Sequence, residues 1–180
     1  MMLQSKKQIS AGRIKLILLT LFLFFGTFEL CAQEKNNSIQ WMDIQEAIEA
    51  NKKTPKKIFF DVYTDWCGWC KKMDATTFQH PEIIRYMNEN YYAVKFNAES
   101  SEKIKINGKE YGSSNPEKTK SPHEFAVEML QGRLSYPSFA VYNSNIQNIG
   151  IVPGFQTAKD IEPILNYFAT ESYRSISWEQ

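Results

Sequence analysis

The sequence is poor in the residues that mark several classes of protein. Its 180 residues include only three cysteines and two histidines, and the formal net charge at pH 7 is only +1. A total charge this close to zero gives no indication of a nucleic acid partner or an acidic substrate. Residues of hydrophobic type make up 43% of the chain and aromatic residues 14%. That composition excludes a disordered or disulfide-dense chain and predicts one globular domain with a sizeable core.

The N-terminal apolar run is too short for a membrane-spanning helix, which needs about 20 residues. It extends from Leu16 to Phe28, which is 13 residues, with basic residues before it and the small residue Ala32 after it. This three-part pattern predicts a signal peptide over residues 1–32 and therefore an exported protein. The alternative is an uncleaved segment that anchors the protein to the membrane. Cleavage after Ala32 would remove Cys31 and leave two cysteines, a pair that suits an oxidising compartment.

The rest of the chain is predicted to hold one domain. Residues 33–40 form a polar linker, residues 41–174 the domain and residues 175–180 a tail. Helices are predicted over Trp41–Ala50, Cys67–Thr77, Glu82–Glu89, Pro122–Leu130 and Thr157–Thr170. In the last helix Thr157 and Asp160 form a possible capping box, and Pro163 marks either a kink or the true start.

Four strands are predicted, and one of them has unusual content. Ile58–Tyr63 is apolar on both faces, which indicates a central strand covered by helices on both sides. Tyr91–Phe96 follows after roughly 25 residues of helix, a β-α-β arrangement that implies parallel pairing. Ser138–Tyr142 and Ile146–Val152 are joined so closely that they must form an antiparallel hairpin.

The polar segment from 97 to 122 is predicted to be an insertion. Asn107-Gly108 lies between short runs that contain apolar residues, which indicates a small hairpin of its own. We expect this hairpin to be a solvated decoration rather than a recognition element.

The motif that carries chemistry is Asp65-Trp66-Cys67-Gly68-Trp69-Cys70-Lys71-Lys72. A C-x-x-C pair can be half of a zinc site, a redox dithiol or a structural disulfide. Zinc needs four ligands, and the remaining candidates, His80 and His123, are far apart in the sequence. We expect His80 to begin a helix and His123 to be solvated, so we predict no metal. A structural bridge across so short a loop would stabilise the fold little.

The position of the motif favours the redox interpretation. It follows the buried strand and begins a helix, where unpaired N–H groups and the helix dipole stabilise a thiolate at Cys67. Lys71 and Lys72 add positive charge nearby, and Cys70 should be shielded one turn inside the helix. We therefore expect Cys67 to attack a substrate disulfide and Cys70 to resolve the mixed disulfide.

Other residues near the motif are candidates for supporting roles. Asp61 lies between Phe59 and Tyr63 in a strand that is apolar on both sides, so burial should raise its pKa above about 3.9. We expect it to accept the proton that Cys70 must lose. Trp66 and Trp69 are either partly buried packing residues or surface residues, and we expect at least one of them to give an apolar surface that holds flexible polypeptide beside the sulfurs.

The segment from 58 to 72 resembles the active-site strand and helix of the thioredoxin superfamily, in particular exported bacterial members with Gly-Trp between the cysteines. Four further features agree with the family in order along the chain. They are Asp61 at the buried acid, Lys95-Phe96-Asn97 at the lysine-bearing strand end, Tyr136-Pro137-Ser138 at the cis-proline that faces the dithiol, and Gly154 after the last strand. The resemblance covers about residues 40–170, interrupted by the insertion.

The resemblance implies an α/β three-layer thioredoxin fold, with a mixed central sheet and helices on both faces. It implies a cis bond before Pro137, which would leave the backbone edge of Tyr136 free to pair with an extended substrate. Gly68 would belong to the same substrate site, and Lys95, like Lys71, would have a supporting role. No bound cofactor is implied beyond the redox-active Cys67–Cys70 disulfide.

The resemblance also implies a periplasmic reductant of disulfides in client proteins that contain cysteine. Such a reductant needs a redox partner, for example a membrane electron donor, and the anchored alternative would place it on the inner membrane. Gly-Trp replaces the Gly-Pro of thioredoxin between the cysteines, so the direction of electron flow stays open. The alternatives are a disulfide oxidant or isomerase with the same residues, and a non-catalytic module that binds peptides or a partner protein.

Overall fold

The computed structural model of the protein describes residues 37–177. The predicted signal peptide over residues 1–32, the first half of the 33–40 linker and the last three residues of the 175–180 tail lie outside the described residues. The predicted domain, residues 41–174, is described in full. Within the described range, no helix has the length and apolar content that a membrane span requires.

Five strands form one mixed sheet in the order β1-β3-β2-β6-β7, and β4 and β5 form a separate hairpin. The strands are β1 (Trp41–Met42), β2 (Lys57–Tyr63), β3 (Tyr91–Asn97), β4 (Ile104–Ile106), β5 (Lys109–Tyr111), β6 (Ser138–Tyr142) and β7 (Asn148–Pro153). β2 pairs in parallel with β3 and antiparallel with β6, which pairs antiparallel with β7. These pairings confirm the predicted β-α-β unit and hairpin.

Helices cover both faces of the sheet. They are α1 (Ile44–Lys53), α2 (Gly68–Ala75), α3 (Pro81–Asn90), α4 (Glu124–Met129) and α5 (Ala158–Ala169), with 3-10 turns at Thr77–Gln79 and Ser172–Arg174. α1 and α4 share one buried cluster with Phe60 and Val62 of β2. α2, α3 and α5 share a second cluster with Phe59 on the opposite face of the sheet. The predicted three-layer α/β fold with a mixed central sheet is confirmed.

The central strand β2 is enclosed on both sides, as its sequence predicted. Every residue from Ile58 to Val62 is buried. Phe59 stacks on Phe139 with ring centroids 5.3 Å apart, and Phe60 meets the edge of Tyr142 at 5.0 Å on the other face. A polar side chain in this run can therefore reach water only near the end of the strand.

The start of α1 differs from the prediction. Asp43 accepts a hydrogen bond from the Glu46 N–H, and the Glu46 carboxylate accepts one from the Asp43 N–H, which forms a capping box. This box fixes Ile44 as the first helical residue. The prediction of helix over Trp41–Ala50 was therefore wrong at its beginning, because Trp41 pairs with β3 as part of β1.

The capping box predicted for α5 is confirmed. Thr157 accepts from the Asp160 N–H, and the Asp160 carboxylate accepts from the Thr157 N–H. The helix begins at Ala158, so Pro163 lies inside it and does not mark its start.

The hairpin of the insertion forms around Asn107-Gly108, as predicted, but it is not a solvated decoration. Ile104, Ile106 and Tyr111 are buried and belong to the cluster that includes α1 and α4. The alternation within β4 puts Lys105 into solvent and both isoleucines into the core. The hairpin therefore completes one of the two hydrophobic cores.

The two histidines behave differently from each other. His80 precedes α3 and is exposed, in agreement with the prediction that it begins a helix. The prediction of a solvated His123 was wrong, because this side chain is fully buried. Its Nδ1 accepts the Phe125 N–H at 3.1 Å, and its Nε2 lies 2.9 Å from the Glu102 carbonyl oxygen. His123 therefore caps α4 and ties this helix to the insertion.

Gly150 of β7 lies directly against the ring of Phe168 in α5. A Cβ added at Gly150 would lie 2.2 Å from Phe168 Cζ and 2.5 Å from Cε1. Because Phe168 belongs to a buried core cluster, its ring would have to shift against its neighbours to make room. We expect Gly150→Ala to lower the free energy of unfolding in urea by about 1–3 kcal/mol. Gly112→Ala is the control, since its Cβ would meet only Lys103 Cγ at 3.8 Å. Equal losses in both variants would contradict this packing.

Candidate functional site

The candidate redox centre lies where the chain leaves β2 and enters α2. The Cys67 N–H donates to the Thr64 carbonyl oxygen at 3.1 Å, which closes a tight turn after the strand. Cys67 is the N-cap of α2, and its Sγ accepts the Cys70 N–H at 3.1 Å. N–H groups in the first turn of a helix have no partner within the helix. The Cys67 sulfur therefore lies where these donors can stabilise negative charge.

Cys67 and Cys70 are joined by a disulfide, with their Cα atoms 5.3 Å apart. Cys67 is 4% exposed and Cys70 is 3% exposed, so Cys70 is shielded as expected and Cys67 is equally enclosed in this oxidised form. Exposure does not distinguish the two sulfurs, whereas the N-cap position belongs to Cys67 alone. Among residues 37–177, no three His, Cys, Asp or Glu side chains are grouped as metal ligands would be.

Asp61 is buried in β2, as the strand pattern predicted, with 2% of its side chain exposed. Lys95 is its neighbour in register on β3, and the Lys95 Nζ lies 3.1 Å from Asp61 Oδ2. Burial raises the pKa of Asp61 to about 6, although the positive charge of Lys95 opposes this rise. A carboxyl group with this pKa changes charge close to neutral pH.

Asp74 is a third member of this charged group that the sequence analysis did not identify. It lies on α2, and its Oδ1 accepts a hydrogen bond from the Lys95 Nζ. Burial lowers the pKa of Lys95, but Asp61 and Asp74 together raise it by more. The signal was available in principle, because residues four apart on a helix share a face and Asp74 follows Cys70 by four. Lys95 therefore links the dithiol helix to the buried acid of β2.

Trp66 is exposed beside the dithiol, and two contacts hold its ring. Its side chain meets the edge of Tyr136 with ring centroids 5.9 Å apart. Its indole N–H donates to the Glu99 carboxylate, with distances of 3.1 and 3.0 Å to the two oxygens. Glu99 was not among the residues predicted for the site. It could have been found, since residues that follow two parallel strands lie at the same edge of a sheet.

Trp69 is 57% exposed, like Trp66. Its ring packs on Phe155 at 5.2 Å, and the Lys72 Nζ lies 4.8 Å from its ring centroid. Lys71, one of the two lysines expected to add positive charge near Cys67, is exposed and makes no ion pair among residues 37–177. Of these two lysines, Lys72 is thus the one that contacts the aromatic rings of Trp69 and Phe155.

The segment before β6 lies next to the end of β2, because Ser138 pairs with Val62. The Tyr136–Pro137 bond is cis, as predicted, and Pro137 is buried. Gly154 has φ +91°, a value that glycine adopts freely, and its N–H donates to the Pro137 carbonyl oxygen at 2.8 Å. Gly68, the first residue of α2, is exposed, and a Cβ there would meet nothing within 4 Å.

A C-x-x-C pair at the start of the helix after a central strand, inside three layers with a mixed sheet, defines a thioredoxin-like domain. The sequence model of the Thioredoxin-like domain family matches residues 44–169. The chain belongs to this family.

Solved structures with similar folds agree with this assignment. A thioredoxin from Thermus thermophilus gives a TM-score of 0.56 at 11% identity, covering 74% of this chain and 89% of that one. A thioredoxin-fold protein from Helicobacter pylori gives 0.53 at 12% identity, covering 82% and 86%. At these identities the similarity establishes the fold alone.

Among curated proteins, the chain is similar to Spermatogenesis-associated protein 20. The mouse protein is 38% identical and the human protein 35% identical over 68 residues, which is 37% of this chain. The match spans 9% of the length of either relative. Most of each relative therefore has no counterpart here.

Asp61→Asn is expected to stabilise the oxidised protein at pH 7. The pKa of Asp61 in the folded protein, about 6, is above its value of about 3.9 in the unfolded chain. Its contribution to stability is therefore fully present below about pH 4 and is lost as the pH rises through 6. In urea melts the advantage of the variant should grow from near zero at pH 4 to on the order of 2–3 kcal/mol at pH 8.

Asp160→Asn is the control with the opposite sign. Hydrogen bonds from Thr157 lower the pKa of Asp160, so this variant should be less stable than the native protein at pH 7 and approach it as the pH falls. A difference between native protein and Asp61→Asn that does not change with pH would contradict the buried, titrating Asp61.

Proposed function

We propose that the protein carries out thiol–disulfide exchange on protein cysteines, with Cys67 as the attacking thiol and Cys70 as the resolving thiol. The observation that carries this proposal is the placement of the Cys67 sulfur. It caps α2, accepts the Cys70 N–H at 3.1 Å and is bonded to Cys70 in a disulfide. A thiolate at this position is stabilised, and a stabilised thiolate is both a nucleophile and a good leaving group.

In the reducing direction, exchange takes two steps. The Cys67 thiolate bonds to one sulfur of a client disulfide, the client S–S bond breaks, and the other client sulfur leaves and takes up a proton. The Cys70 thiolate then attacks Cys67 Sγ and releases the second client sulfur, which is also protonated. The client gains two electrons and two protons, and the Cys67–Cys70 disulfide remains.

Asp61 is proposed to accept the proton of Cys70 before the second step. Its pKa of about 6 lets it take up a proton near neutral pH and release it again. Lys95 pairs with Asp61 and with Asp74, whose side chain is 42% exposed. This chain of charged groups connects the buried acid to solvent on the helix that also carries Cys70.

Clients are proposed to bind across the aromatic surface beside the dithiol. Trp66 and Trp69 are each 57% exposed, and a large exposed apolar side chain costs free energy unless a partner covers it. Tyr136 extends this surface from Trp66 towards Pro137. The open space at Gly68 leaves room for a client chain near the sulfurs.

The finer proposal is an exported, periplasmic reductant. Its support is the signal-peptide pattern over residues 1–32 and the resemblance to exported members of the superfamily. Exchange needs no bound cofactor, because the reduced Cys67–Cys70 dithiol itself supplies both electrons. A reductant in an oxidising compartment must be reloaded, so the redox partner is proposed to be a membrane electron donor.

Cys70→Ser should trap clients, because the second step then has no resolving thiol and the mixed disulfide formed in the first step persists. With reduced protein and insulin as the client, we expect a mixed disulfide through Cys67 on non-reducing gels. Cys67→Ser should give none. The variant that carries both Cys67→Ser and Cys70→Ser still contains Cys31. It therefore measures how much mixed disulfide forms through Cys31 alone. Insulin binding without any covalent complex would favour the non-catalytic binding module.

The reduction potential of the Cys67–Cys70 pair decides the direction of electron flow. Equilibration with glutathione buffers should give a value near that of thioredoxin, about −270 mV. A value near that of a strong oxidant, about −120 mV, would contradict the proposed reductant and favour the oxidant or isomerase alternative.

A further inference from the structure

The insertion over residues 97–122 borders a cleft that begins beside the dithiol. A pocket of about 370 Å³ next to Trp66 is lined by Asp65, Trp66, Glu99 and Lys120. Glu99 and Lys120 also line a neighbouring pocket of about 600 Å³, whose other walls are residues of the insertion and Glu124. Because the two pockets share these walls, we treat them as one depression, the insertion cleft.

The beginning of the insertion is fastened to the turn before Cys67. Three hydrogen bonds make this connection: Ala98 N–H to the Tyr63 carbonyl oxygen at 2.8 Å, Asn97 Nδ2 to Asp65 Oδ1 at 3.2 Å, and the Trp66 indole N–H to the Glu99 carboxylate at 3.0 Å. The indole of Trp66 thus lines the insertion cleft, and through its contact with the Tyr136 ring it also belongs to the aromatic surface beside the dithiol. Its orientation depends on Glu99.

The insertion cleft is lined mostly by charged and polar residues, in contrast to the aromatic surface next to it. Lys103 and Glu110 on its wall form an ion pair with each other at 3.2 Å. Lys120 is exposed, and within the part of the chain that the structure describes its ammonium group forms no ion pair. Lys120 also has φ +62°, a conformation uncommon for residues other than glycine, asparagine and aspartate. Its charge is therefore available to a partner in the cleft.

We propose that the insertion cleft holds the client polypeptide that flanks the reacting cysteine, and that Glu99 is a positioning residue that fixes Trp66 where the cleft meets the aromatic surface. This inference rests on the proposed function. The partner it fits is an extended, polar segment of a protein, because only a chain can reach the sulfurs and the cleft together. A small disulfide would contact the dithiol alone. The insertion thus adds a second, polar surface for client recognition.

Peptides that carry one disulfide and differ in length test this inference. One series is extended on the N-terminal side of the reacting cysteine and another on the C-terminal side. In single turnovers of the reduced native protein with peptide in excess, the half-saturating peptide concentration (KM) should fall with length in one series while the maximal rate constant stays the same. Glu99→Ala should raise KM for the longest peptides by about fivefold, since a hydrogen bond from the indole to a charged group is lost. Glu99→Gln keeps an acceptor oxygen and should retain most of the length dependence.

Glu102→Ala is the matched control. Glu102 is exposed in the same insertion but lines neither pocket, so this variant should keep the native dependence on length. No length dependence in either series would overturn the inference. So would a Glu99→Ala effect that is equal for the shortest and longest peptides. If neither peptides nor insulin react with the reduced native protein, the proposed function itself fails.

Discussion

The burial of β2 on both faces is the constraint on which the site depends. Helices pack on both faces of β2, so the chain can leave the core only where the strand ends. There the turn at Thr64 places Cys67 at the first turn of α2. The same burial removes water from Asp61, and the lost solvation raises its pKa. One packing requirement therefore places a sulfur next to unpaired N–H donors and a titrating acid in the strand that leads to it.

Lys95 lowers the cost of burying the Asp61 carboxylate in the core. A lone carboxylate inside a core would be costly, and a lone lysine beside it would be costly too. In the structure Lys95 contacts Asp61 on one side and Asp74 on the other, and its Nζ lies 5.1 Å from the centroids of the Trp41 and Tyr63 rings. The pairing is strong enough to retain Lys95 in this aromatic surrounding but leaves Asp61 protonatable near neutral pH.

Features encoded in neighbouring residues were predictable from the sequence. The apolar alternation of β2 indicated its place in the sheet and the burial of Asp61, and Thr157 with Asp160 indicated where α5 begins. The predictions that were wrong concern features that depend on residues distant in the chain. Trp41 lies in a strand because β3 is there to pair with it, and the buried Nε2 of His123 has a partner because the chain brings the Glu102 carbonyl oxygen, 21 residues away, next to it. Asp74 and Glu99 join the site only through tertiary contacts with Lys95 and Trp66.

Because one side of the β4–β5 hairpin is buried in the core, the smallest part of this chain that can fold includes the hairpin. Ile104, Ile106 and Tyr111 pack in the same core as Phe60 and Phe125, so the hairpin carries part of the apolar surface that the sheet face must cover. The hairpin is part of the hydrophobic core. A variant without it would need three other apolar side chains to keep this face of the sheet buried.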